Sequence, residues 1–284
     1  MLAVLPVGGR GAYAMAEQAF GALGAERALS VALAAAEAAG QAALPYFRQA
    51  PAVANKAGPG AFDPVTRGDQ DAERAMRAVL RKAFPDHGLR GEEGDDERPE
   101  SPYQWIMDPI DGTRAFITGL VHWGVLLGLA YEGQTVLGVM HQPFTGELWW
   151  GYGAQAGYRR GALSQPLRTR TGLSLAEAHL ATTDPYLFPH EEAPVFQALR
   201  RATRHCRFGT DCYGYGMLAQ GQLDLVLESG LSPWDIEPLL PIIRGAGGVV
   251  TGWDGAASRG PRGAVLAAAN PALHEAALAL LSTL

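Results

Sequence analysis

The string Asp108-Pro109-Ile110-Asp111-Gly112-Thr113 sets two carboxylates three positions apart, behind the apolar run Trp105-Ile106-Met107. Nothing in packing asks for two acids at one strand end. Each loses hydration there and repels the other unless a cation lies between them. Hard divalent cations such as Mg²⁺ choose oxygen ligands of this kind. Gly112 permits close backbone approach. The amides of Gly112 and Thr113, opening a helix, offer an anion site. Carboxylates for a metal beside amides for an oxyanion point to metal-assisted phosphate chemistry. An ordinary Asp-Gly turn is the alternative for this string taken alone.

Three further strings add to it. Gly91-Glu92-Glu93 supplies acid just upstream. Trp234-Asp235 starts a helix that ends in Ala246-Gly247-Gly248, and Asp235 is either a ligand or a helix N-cap. Asp63-Pro64-Val65-Thr66 followed by Asp69 is either part of the site or a turn and N-cap. The remaining acids between residues 86 and 100 read as a solvated loop. The seven His show no paired ligand spacing and read as packing or surface residues. Arg114 has two candidate partners, a phosphate or a neighbouring acid.

These residues need elements to hold them. The spacing predicts a long helix from about Ala16 to Phe47, interrupted at Gly40, and an amphipathic helix from Asp69 to Phe84. Apolar runs predict strands at 105–107, 123–130, 135–141 and 148–152. Helices are expected at 194–203, 213–220, 235–246 and 271–281, with strands at 223–228, 249–253 and 264–269. The texture changes near residue 150. The expected organisation is an N-terminal α+β lobe over residues 15–150 with the metal site, and a C-terminal α/β lobe over residues 151–284. The second lobe would supply Asp235 and the substrate contacts. Residues 1–14 read as a disordered extension, with Met15 a candidate start.

Composition sets limits. The chain has 284 residues, 48% hydrophobic and 18% charged, enough for a sizeable core and too apolar for global disorder. A net charge of -6 argues against a dedicated nucleic-acid binder. Only Cys206 and Cys212 occur, as expected free thiols, without the spacing of a disulfide scaffold or zinc site. No membrane span and no signal peptide are expected. The expected location is the cytoplasm.

Taken together, the GEE, DPIDGT and WD…AGG strings resemble the inositol monophosphatase superfamily of Mg²⁺-dependent, lithium-sensitive phosphatases. The likeness spans about residues 16–284, with the motifs in the family's order. It implies an α/β fold, the layered α-β-α-β-α sandwich of the inositol monophosphatase and fructose-1,6-bisphosphatase type. By motif position it implies two or three Mg²⁺ ions per site. Glu92, Asp108 and the Ile110 carbonyl would hold the first metal, with Glu93 nearby. Asp108, Asp111 and Asp235 would hold the second. Thr113, oriented by Asp69, would position and deprotonate the attacking water, and the amides of Gly112 and Thr113 would hold the phosphate. A homodimer is expected because dimers are usual in families of this type.

Within the superfamily, Asn55-Lys56-Ala57, Asp111 to Ile117, Phe208 to Tyr213 and Pro241-Ile242-Ile243 are similar to the histidinol-phosphatase branch. Val121-His122-Trp123 and Asp184 depart from its pattern, away from the metal ligands. The branch implies hydrolysis of histidinol phosphate in histidine biosynthesis. Its ammonium and imidazole suit acids beyond the metal set, Asp211 and Glu228. The alternatives are a turn role for Asp211 and a surface strand end for Glu228. Two other functions stand beside it: a phosphatase for inositol phosphate or a nucleotide 3'-phosphate, and a regulator that binds RNA polymerase or RNA. The intact acid set and the acidic balance weigh against the regulator.

Overall fold

The computed structural model describes residues 19–21, 24–49, 54–55, 64–257 and 263–283. The expected extension at 1–14, the start at Met15, and residues Lys56, Ala57 and Asp63 lie outside the described residues.

The first layer is a helix pair. Helix α1 (Ala25–Ala43) is rich in alanine, the strongest helix former. Its Ala28, Ala32, Ala35, Ala36 and Ala39 form a fully buried stripe. It runs without a break through Gly40, where an interruption was expected. A Cβ at Gly40 would stand 2.7 Å from the Pro143 ring, so the glycine serves packing between α1 and the sheet. Two short backbone strands, β1 (Ala54–Asn55) and β2 (Pro64–Val65), pair antiparallel. Helix α2 (Arg67–Ala83) follows, with Arg81 and Lys82 in its last turn where they oppose the helix dipole.

The second layer is a seven-stranded sheet in simple sequence order. Strands β3 (Gly88–Gly91) and β4 (Tyr103–Asp111) are parallel. Then β5 (Gly124–Tyr131), β6 (Gln134–Gln142), β7 (Glu147–Tyr152), β8 (Gln155–Arg160) and β9 (Leu163–Pro166) form an antiparallel meander. The short helix α3 (Thr113–Ile117) leaves the end of β4. Residues 155–166 thus belong to this sheet, past the change of texture near residue 150.

A five-stranded sheet follows, built from β10 (His179–Ala181), β11 (His205–Arg207), β12 (Leu225–Leu231), β13 (Val249–Thr251) and β14 (Gly263–Ala268), in the order β11-β10-β12-β14-β13. Helices α5 (Asp211–Ala219), α6 (Pro233–Ile236) and α7 (Leu239–Ala246) lie between the two sheets. Helices α4 (Ala193–Ala202) and α8 (Pro271–Leu281) pack on the outer side. Three buried apolar clusters fill the spaces between these five layers. This is the α-β-α-β-α sandwich.

Several boundaries differ from expectation for identifiable reasons. The helix expected at 235–246 is two helices, because Pro238 supplies no amide to continue the ladder. Helix α2 starts at Arg67 because Thr66, not Asp69, is its cap. Strands β3 and β8–β11 were not expected. Of these, β3, β10 and β11 span only three or four residues, all of β9 faces solvent, and β8 buries only its centre, so they lack an apolar period.

Together with the turn after it (Ala25–Tyr46), α1 is long and apolar enough by composition to match a membrane span, alone in this among the described residues. Its alanine stripe is part of the first core cluster.

Candidate metal and phosphate site

Residues three apart on a regular strand point to opposite faces. Asp108 and Asp111 do not, because β4 carries a bulge between them. Asp108 pairs with Leu126 and Asp111 with Gly124, so three steps on β4 oppose two on β5. Pro109 and Ile110 provide the extra residue. A bulge re-aims side chains and is one of the few places a sheet accepts proline. Both carboxylates thereby turn to one side.

The third acid arrives from α6. Gly128, Gly138 and Gly151 are direct cross-strand partners on β5, β6 and β7. They form a shallow groove that receives the α6–α7 connection. A Cβ on Gly138 would stand 1.8 Å from the Pro238 carbonyl oxygen, and one on Gly151 would stand 2.4 Å from that of Pro241. This close approach brings Asp235 over the end of β4. Ligand oxygens of Asp108, Asp111 and Asp235 all lie within 4.8 Å of one another.

Hydrogen bonds fix each acid. The Ile110 amide donates to Asp108 Oδ1 at 3.0 Å. The Cys212 amide, at the start of α5, donates to Asp111 Oδ2 at 2.7 Å. The Ser232 amide donates to Asp235 Oδ2 at 2.8 Å. Asp235 and Asp69 both sit at the third helical position of a capping box, with Ser232 and Thr66 as the N-caps. The Thr66 amide and hydroxyl donate to Asp69 Oδ2 at 2.8 and 2.7 Å. Asp69 is buried beneath the site, and the charge of Glu92 reaches it and also Asp108, Asp111 and Asp235.

Gly112 has φ 84°, and a Cβ there would stand 2.6 Å from the His122 carbonyl, so only glycine fits the turn. It caps α3 and leads to Thr113, whose hydroxyl donates to the Ile110 carbonyl at 3.0 Å. Arg114 lies 3.9 Å from Asp184, which takes the neighbouring-acid option left open by the sequence.

Asp211 and Glu228 come to the same place from the second half of the chain. Asp211 opens α5 with φ 44°, a left-handed conformation that Asp tolerates better than most residues. Its Cβ lies 3.1 Å from where a Gly112 Cβ would stand. Glu228 is buried on β12, not at the surface, and accepts the Thr183 amide at 2.6 Å and its hydroxyl at 3.0 Å. The His expectation also holds at the clearest case: His87 stacks between Phe84 and Tyr103, and burial pushes its pKa down to about 4.

The electrostatics follow from crowding. Burial first, then the neighbouring acids, push Asp108 well above the carboxylate range. The same two causes raise Asp111 to about 7, where Asp211 contributes most among the acids, and Asp235 to about 8, where Asp111 does. Burial raises Asp211 to about 7, with Glu228 adding to it, and burial raises Glu228 to about 8. A protein has little reason to bury so many acids together unless cations join them.

A model of the inositol monophosphatase family matches residues 25–284. The chain belongs to this family. It is 40% identical over 232 residues to the bifunctional phosphatase IMPL2, chloroplastic, of Arabidopsis thaliana, covering 81% of this chain and 65% of that protein. It is 37% identical over 223 residues to a histidinol-phosphatase of Chlorobaculum parvum, covering 78% and 83%. The solved structure of an inositol monophosphatase from Zymomonas mobilis superposes with a TM-score of 0.81 at 37% identity, covering 91% and 99%. Relatives named inositol-1-monophosphatase and Nus factor SuhB match at lower identity.

The chain is thus an inositol monophosphatase family phosphatase, and that family is metal-dependent and acts on small phosphorylated substrates. The donor set fits a hard cation: all oxygen, clustered, and held at high pKa first by burial and then by mutual repulsion. One set of contacts has no counterpart in the sequence analysis. Glu73, Arg77 and Arg81 bind the Glu92 loop from α2. Their four-residue spacing from Asp69 was the available signal.

Proposed function

We propose that this phosphatase hydrolyses L-histidinol phosphate to L-histidinol and phosphate, with Mg²⁺ as its metal. The observation that carries the substrate is the pair Asp211 and Glu228. Both are acids beyond the metal set, and the charge of each is felt there: Asp211 raises Asp111, and Asp111 in turn raises Glu228. An ammonium next to the phosphate ester would form ion pairs with these acids, whereas a neutral polyol would make only hydroxyl hydrogen bonds to them. The histidinol-phosphatase relative supports the same choice.

In this reading Glu92, Asp108 and the Ile110 carbonyl would hold one Mg²⁺, and Asp108, Asp111 and Asp235 would hold another. Bound there, such ions would supply Lewis-acid stabilisation and make water more acidic. The chain's own residues do the rest. The Gly112 and Thr113 amides hold the phosphate, with the fixed turn at Gly112 presenting them. Thr113 would orient the attacking water, with Asp69 as the acid proposed to orient it. Asp211 and Glu228 hold the cationic end of the alcohol.

The test is phosphate release from a panel of histidinol phosphate, inositol 1-phosphate, a nucleotide 3'-phosphate and glycerol phosphate, with and without chelator. Preferred turnover of histidinol phosphate that stops on metal removal is the expected result. Preference for inositol phosphate would overturn the substrate, and full activity in excess chelator would overturn the metal.

A further inference from the structure

Side chains four residues apart share a helix face. On α2 that face reads Asp69, Glu73, Arg77, Arg81. Asp69 reaches the acid cluster, and the next three reach the loop that carries Glu92. Glu73 and Arg77 are 2% and 5% exposed. Glu73 Oε1 accepts from Arg77 Nε at 2.7 Å, and Glu73 Oε2 accepts the Glu93 amide at 2.8 Å. Arg77 donates onward to Glu97 at 2.8 Å and to the Gly94 carbonyl at 3.2 Å. Arg81 donates to Glu97 at 2.6 Å. Leu89 and Glu97 exchange backbone hydrogen bonds of 2.9 Å and close the base of the loop.

The loop is wrapped on the Glu73 carboxylate. A Cβ on Gly91 would stand 2.5 Å from its carboxyl carbon, and one on Gly94 would stand 2.8 Å from its oxygen. Glu92 lies between these two glycines, beside the amide that Glu73 grips. A buried ion pair contributes little net stability compared with apolar packing. Here it fixes the height and rotation of one short turn.

We propose that Glu73, locked by Arg77, is the positioning residue that aims Glu92 at the metal site through the Glu93 amide. The proposal rests on reading Glu92 as a metal ligand. Residues that orient a ligand without touching the metal typically carry about 10–100-fold in metal affinity. Glu73→Gln keeps the size and an acceptor but releases the grip of Arg77.

The experiment is calorimetric titration of the purified chain with MgCl₂, for wild type, Glu73→Gln, Glu92→Gln and the double variant. Expected is a roughly tenfold or greater loss of Mg²⁺ affinity in Glu73→Gln. That loss should be absent when Glu92 is already Gln, because the effect passes through that residue. High Mg²⁺ should restore turnover of Glu73→Gln. Wild-type Mg²⁺ affinity in Glu73→Gln, with only a lower melting temperature, would show a purely structural role and overturn the proposal. An undiminished Glu73 effect in the Glu92→Gln background would overturn it too. If Glu73→Gln does not fold, Arg77→Lys keeps the charge but not the fork geometry, and it should show the same loss; wild-type affinity there would overturn the role. A wild-type chain that binds no Mg²⁺ overturns this and the metal reading together, whereas binding by wild type with an unmoved variant overturns only the role of Glu73.

Discussion

Gly138 and Pro238 are in contact so close that the Pro238 carbonyl oxygen occupies the place of a Gly138 Cβ, 1.8 Å from where that atom would stand. Three residues before Pro238 lies Asp235, so the contact sets how near α6 comes to the bulge on β4. Gly138→Ala should push the α6–α7 connection off the sheet. Overpacking of this kind costs about 1–3 kcal/mol. The expected outcome is a lower melting temperature together with weakened Mg²⁺ binding. Unchanged values of both would show that the connection tolerates displacement.

Asp108→Asn removes the ligand shared by both proposed metals. Loss of several kcal/mol of metal assistance is on the order of a hundredfold or more in rate. The fold should survive. The Asp108 carboxyl is already held far above the carboxylate range by burial and by the charge of Glu92, so a neutral side chain of the same shape relieves repulsion. Melting of the metal-free variant at or above wild type, with activity lost, is the expected pair of results. Wild-type turnover would refute the site.

Stability of the metal-free chain should fall as pH rises. Asp111 and Asp211 sit near 7, and Glu228 and Asp235 near 8, in the folded state. In the unfolded chain such groups ionise near about 4. Between about pH 4 and pH 8 the unfolded state therefore binds fewer protons, and stability drops with rising pH, levelling off above about 8. Mg²⁺ competes with those protons, so it should raise the melting temperature more at about pH 8 than at about pH 5. Melting scans across pH with and without Mg²⁺ check this, and a Mg²⁺ effect that is larger at low pH would contradict it.

Thr113→Ala should lower kcat far more than it weakens substrate binding. A positioned group that orients the nucleophile or moves its proton contributes about 10²–10⁴-fold. An effect confined to KM would mean that the hydroxyl serves only to bind.

The paired variant Glu228→Gln with Asp211→Asn should separate substrates. A charged hydrogen bond to an ammonium contributes roughly 1.5–3 kcal/mol, about ten- to hundredfold in affinity. kcat/KM for histidinol phosphate should drop by that order, with glycerol phosphate hydrolysis nearly untouched. Equal losses on both substrates would assign these acids to the fold, since Glu228 also anchors the Thr183 loop.

The sequence alone singled out the acids. Asp108, Asp111 and Asp235 stood out because acids beside apolar runs are costly, and the family likeness and the layered sandwich were legible in short motifs. Long periodic elements such as α2 and β5 were legible too, because burial imposes an apolar period. Convergence was decided elsewhere. Spacing places Asp108 and Asp111 on opposite faces of a strand, and only pairing with β5 reveals the bulge that turns them together. Asp235 lies 124 residues from Asp111, and its approach depends on three glycines that become a groove only when β5, β6 and β7 lie in register. The grip of Glu73 on the Glu93 amide was equally hidden, since a hydrogen bond to backbone leaves no residue-type signature at its acceptor's partner. Side-chain cost is a local property that sequence exposes. Register and close approach are relations between distant segments, and they exist only once the sheets have formed.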